Sequence, residues 1–107
     1  MASVRRPRRP SGVSPPSSVI VTLQTLLNAG AVTHGLAVTV RGAQLLLART
    51  DHLGTDPRFR LTPLSPTAYG LSLYRRNRWE PLPYHGSLHE LVDVMNTDLA
   101  HWAADQS

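Results

Sequence analysis

The side chains with chemistry to offer here are guanidinium groups and aromatic rings. All eleven basic residues are Arg, set against seven Asp and Glu. Arg5, Arg6, Arg8 and Arg9 lie in the first 18 residues with no acid among them. Arg41, Arg49, Arg58, Arg60, Arg75, Arg76 and Arg78 follow, against only Asp51 and Asp56. From position 79 onward the balance inverts: Glu80, Glu90, Asp93, Asp98 and Asp105 stand with no Arg. The part of the chain that can fold is therefore neutral but polarised. The net charge of +4 belongs to the first segment. Charge arranged this way bears on partners and encounter rates rather than on fold.

Other chemistries find less support. The absence of Cys excludes disulfides, thiolate zinc sites and a cysteine nucleophile. His85, His89 and Asp93 have helical spacing for a metal, but His85 precedes the helix cap and no fourth ligand is near, so no metal is expected. There is no Gly-rich phosphate loop, no nucleophile elbow and no carboxylate pair on facing strands. The expectation is a protein that is not an enzyme, with no catalytic residues, no cofactor and no small-molecule substrate. No run approaches the roughly 18 apolar residues of a membrane span. A basic start followed by Val19–Leu27 loosely mimics a secretory signal, but Thr22, Gln24 and Thr25 interrupt the apolar stretch. A cytoplasmic protein is expected.

The elements that must carry these side chains can be read along the chain. Residues 1–18 are rich in Arg, Pro and Ser and poor in large apolar groups, which predicts a disordered arm. A single domain over 19–107 follows. Val19, Ile20, Leu23, Leu26 and Leu27 recur at helical spacing, with Ser17 or Ser18 as cap and Gly30 as a left-handed stop. Leu36–Arg41 alternates as a strand, Gly42 marks a tight turn, and Gln44–Thr50 returns as a second strand whose continuous run Leu45, Leu46, Leu47 implies cover on both faces or a place at the sheet centre; Asp51–Pro57 reads as a loop. Arg58–Leu64, Tyr69–Arg75 and Trp79–Tyr84 form a second strand group. Matching apolar faces pairs Phe59 with Leu73 and Leu61 with Leu71. The same rule pairs Leu73 with Leu82, sets Arg75 opposite Glu80 and makes Asn77-Arg78 the turn. Pro81 and Pro83 confine the last strand to an edge. Ser87-Leu88-His89-Glu90 is a capping box, opening a helix that buries Leu88, Leu91, Val92, Met95, Leu99 and Trp102 and leaves Asn96 near the wet side.

The order helix, five strands, helix predicts an α+β two-layer sandwich: an antiparallel sheet with an N-terminal and a C-terminal helix on one face. Alternation then puts Arg58, Arg60, Tyr74, Arg76 and Trp79 on the other face. Arginine pairs with phosphate and rings stack on bases, so this face together with Arg5, Arg6, Arg8 and Arg9 predicts contact with DNA or RNA. The competing expectation is a protein-protein or regulatory module. It would meet a protein partner, or form a homodimer, through its sheet edge or its acidic C-terminal helix.

Overall fold

The computed structural model describes residues 15–52 and 54–104. Most of the arm, including Arg5, Arg6, Arg8 and Arg9, lies outside the described residues. The elements run α1 (Ser17–Ala29), β1 (Ala37–Arg41), β2 (Gln44–Asp51), β3 (Gly54–Ser65), β4 (Ala68–Arg75), β5 (Arg78–Gly86), α2 (Leu88–Asn96) and α3 (Ala100–Ala103). The five strands form one antiparallel meander in chain order. Helices cover one face of it, which is the expected α+β two-layer architecture.

Period-2 alternation builds the interface between the layers. Leu45 pairs with Leu61, Leu47 with Phe59, Leu61 with Leu71 and Phe59 with Leu73. These six side chains are buried together with Leu23 and Leu27 of α1 and Leu91, Val92 and Met95 of α2. Each helix contributes a stripe at 3.6-residue spacing to the same core.

Several local readings change. Strand β3 begins at Gly54, and Arg49 pairs with Asp56, so most of the loop expected over Asp51–Pro57 is strand. Within this pairing Leu47 faces Phe59 and Ala48 faces Pro57, leaving Arg58 as the extra residue of a β-bulge. The bulge breaks alternation, and Arg58 is 7 % exposed on the helix side rather than open on the far face. Strand β5 is also offset. Arg75 pairs with Arg78 and Leu73 with Glu80, and the turn is Arg76-Asn77 with φ of 55° and 65°. Positive φ at both central residues is the type I′ geometry that suits strand twist. Arg75 and Glu80 still form their ion pair, at 3.1 Å, along a diagonal. Being half-exposed, it stabilises by less than ~1 kcal/mol.

The helix ends differ for identifiable reasons. Pro16, not a serine, is the N-cap of α1, and its carbonyl accepts from Val19 N at 3.0 Å. Gly30 has a φ of −80°, so it is not a left-handed stop. Its missing side chain matters because a Cβ there would overlap Thr33 Oγ1 and the Asn96 amide. The C-terminal helix starts with the expected capping box but stops at Asn96. Thr97 Oγ1 donates to the Asp93 carbonyl at 2.8 Å, a local bond that competes with helical continuation. The chain restarts as α3, placing Leu99 and Ala103 in the core.

Asn96, expected near solvent, is instead a half-buried hub. Its Oδ1 accepts from Val32 N at 2.7 Å and Thr33 N at 3.1 Å, while its Nδ2 donates to Thr33 Oγ1 and the Val92 carbonyl at 3.0 Å each. It ties α2 to the connection between α1 and β1. Gln24 does a related job at the sheet edge. Its Nε2 donates to Leu36 O at 2.8 Å and its Oε1 accepts from Val38 N at 3.0 Å. That is the hydrogen-bond pattern of a parallel neighbour opposite Ala37, so one amide side chain stands in for an added strand. Edge β1 is thus partly covered, and edge β5 carries Pro81 and Pro83.

Two outcomes are expected. Asn96→Ala leaves Val32 and Thr33 N–H groups without their acceptor and lowers unfolding free energy by about 2–3 kcal/mol, read from urea denaturation. The Glu90 carboxyl lies below its ordinary pKa because the Ser87 backbone N–H, and then the Ser87 hydroxyl, hydrogen-bond to its charged form; nearby His85 and His89 add to this. Its contribution is therefore present above the unfolded glutamate pKa and lost as pH falls through the lower folded value. The stability gap between wild type and Glu90→Ala should be constant at neutral pH and close in acid, as measured by thermal unfolding across pH.

Candidate nucleic-acid interface

The face of the sheet away from the helices is built from rows of residues crossing the strands. One row is fixed by register alone: Thr39 pairs with Leu46, Leu46 with Arg60, Arg60 with Ser72 and Ser72 with Pro81. Arg41 and Gln44 pair on one side of this row, and Tyr74 and Trp79 pair on the other. The residues at both ends of the row are small or short, so the larger flanking side chains make a rim.

The rim encloses a concavity of about 270 Å³ lined by Arg41, Gln44, Leu46, Pro57, Arg60, Tyr74 and Trp79. The Arg60 guanidinium lies 4.8 Å from the centre of the Trp79 ring. The Tyr74 and Trp79 rings meet at 4.9 Å with a tilt of 59°. Cation–π attraction and ring packing hold Arg60 in place without neutralising it. Its Nε is buried with no hydrogen-bond partner. Among the described residues no carboxylate lines the concavity, so the positive charge of Arg41 and Arg60 is offered to whatever enters. Gln44 is oriented by donating to Thr62 Oγ1 at 3.2 Å.

Of the residues expected on this face, Arg60, Tyr74 and Trp79 are brought together. Arg76 sits in the exposed β4–β5 turn, at the end of the sheet rather than on the face. Arg58 is on the wrong side for the role expected of it. Its Nη1 donates to the carbonyls of Trp102 and Ala104, and its Nε and Nη2 engage Asp56 at 3.1 and 2.8 Å. Arg49 joins it, donating to the Ala103 carbonyl at 2.7 Å and to the Val32 carbonyl at 2.9 Å. Two guanidiniums thereby satisfy carbonyls left open at the end of α3, a structural task. Arg41 and Gln44, which sequence reasoning left out of the site, belong to it. Their place beside the Gly42 turn was the available signal, since a hairpin sets them opposite one another.

A second concavity of about 420 Å³ lies between the starts of α1 and α2 and the β3–β4 turn, lined largely by apolar residues such as Val19, Leu26 and Leu88. Among the described residues no group of three or more His, Asp or Glu is placed to hold a metal, and no helix is long and apolar enough to cross a membrane. Comparison of the chain with protein-family models, with curated proteins and with solved structures finds no match.

Proposed function

We propose that the chain is a small non-enzymatic binding protein that holds nucleic acid on the helix-free face of its sheet. One observation carries this reading: Arg41 and Arg60, with no carboxylate beside them, share a single concavity with Tyr74 and Trp79. Guanidinium groups supply phosphate contacts and the rings supply flat apolar surface for bases. The acidic side chains Glu90 and Asp93 are exposed on α2, in the other layer. Repulsion from that side orients a polyanion toward the arginine face. Arg76 and Arg78, exposed at the β4–β5 turn, extend the positive surface beyond the concavity. Arg5, Arg6, Arg8 and Arg9 would add contacts that do not depend on base sequence.

The competing reading, a protein-protein module, gains less from the two sheet edges, because Gln24 and the prolines of β5 limit strand addition there. It retains the apolar concavity at the helix starts and the acidic α2 face.

The test is binding of labelled oligonucleotides by the full chain at several salt concentrations. Changing Arg41 and Arg60 together to Ala should weaken binding roughly tenfold or more and flatten the dependence of log affinity on log salt by about one or more. Arg75→Ala removes the same kind of charge from the helix side and should change affinity little. Equal losses at both places, or none at either, would contradict the assignment of this face.

A further inference from the structure

We infer that the face selects single strands and seats one unpaired guanine in the concavity beside Arg41 and Gln44; this rests on the nucleic-acid reading above. Shape excludes the duplex first. Five strands spaced about 4.8 Å apart make a surface about 19 Å across, which cannot enter a major groove about 12 Å wide. The described helices all pack on the opposite face, so a duplex would meet this one chiefly through phosphates. A single strand can instead lie across the rows and turn a base inward.

The concavity matches such a base. Its volume of about 270 Å³ falls just below the usual ~300–1,000 Å³ of small-ligand pockets, which suits one base rather than a larger ligand. Its floor is apolar at Leu46 and Pro57, and one wall is the Tyr74–Trp79 pair. The opposite wall is polar. Arg41 and Gln44 line it; the Gln44 amide nitrogen donates to Thr62 Oγ1, and among the described residues no group donates to its carbonyl oxygen. Along its Watson–Crick edge guanine carries the O6 acceptor for a guanidinium and, beside it, the N1–H and N2 donors for a carbonyl. Adenine places an amino donor where guanine has O6, so it opposes the same guanidinium. Arg60, held against Trp79, remains for the flanking phosphate.

The experiment uses the full chain and labelled thymine-rich oligonucleotides of about 12 nucleotides, in deoxyribose and ribose forms, with a central G, A, C or T. Each is compared with its duplex by fluorescence anisotropy. The central-G strand should bind roughly tenfold tighter than the central-A strand and than its own duplex in at least one sugar form. Arg41→Ala and Gln44→Leu should each remove most of the G preference while leaving the thymine strand within about threefold, since phosphate contacts through Arg60 and the arm persist. Circular dichroism confirms that both variants stay folded. Equal affinity for strand and duplex, or no base preference in wild type, would overturn the base-seating proposal while leaving polyanion binding intact. Failure to bind any oligonucleotide would overturn both.

Discussion

A single extra residue in β3 decides which layer Arg58 serves, and the organisation of both faces depends on it. Because the strand bulges opposite Leu47 and Ala48, Phe59 keeps its place in the core while Arg58 is delivered to the same side. There it donates to the carbonyls of Trp102 and Ala104 at the end of α3, beside Arg49. Two guanidiniums holding one helix end are a costly thing to bury unless every N–H finds an acceptor. Backbone carbonyls of α3 and of the α1–β1 connection supply most of those acceptors, with Asp56 for Arg58. The short helix α3 is four residues long and could not persist on propensity alone. It is the anchoring, with Leu99 and Ala103 in the core, that keeps it on the sheet.

With all helical surface committed to one layer, the other face of the sheet is left with what alternation puts there. That set is smaller than eleven arginines would imply. Arg49 and Arg58 work as structural cations, Arg75 pairs with Glu80 and lies 5.4 Å from the Trp102 ring on the helix side, Arg76 occupies a turn, and Arg78 opens β5 at its end. Arg41 and Arg60 remain on the open face. The two tryptophans divide in the same way: Trp79 packs under Arg60 on the open face, and Trp102 sits between Arg75 and His101 on the covered one. Charge count was thus a poor guide to the site, and the side of the sheet was the deciding variable.

The architecture was legible in the sequence because the strongest signals were redundant. Period-2 leucines fixed the β3–β4 register, two prolines marked β5 as an edge, and Ser87 with Glu90 marked the start of α2. What could not be read were interactions closing between distant segments. The bulge at Arg58 is stabilised by α3 carbonyls more than forty residues away, and no local pattern announces it. Asn96 looked like a polar position on a wet stripe, but its partners are Val32 and Thr33. In β5, matching Leu73 to Leu82 satisfied the apolar faces, yet the positive-φ turn at Arg76-Asn77 set a different register. Of the candidate site, the trio Arg60, Tyr74 and Trp79 was readable because alternation holds locally there; Arg41 and Gln44 required the sheet order.

The central claim is that ligand occupies the helix-free face, and the placement of the two tryptophans, one on each side, allows it to be tested without altering the chain. The measurement is a titration of the isotopically labelled protein with a single-stranded oligonucleotide, following the two indole N–H resonances. The Trp79 signal should move progressively to saturation while the Trp102 signal stays in place. Movement of Trp102 with Trp79 unchanged, or saturation binding that leaves both signals where they were, would contradict it.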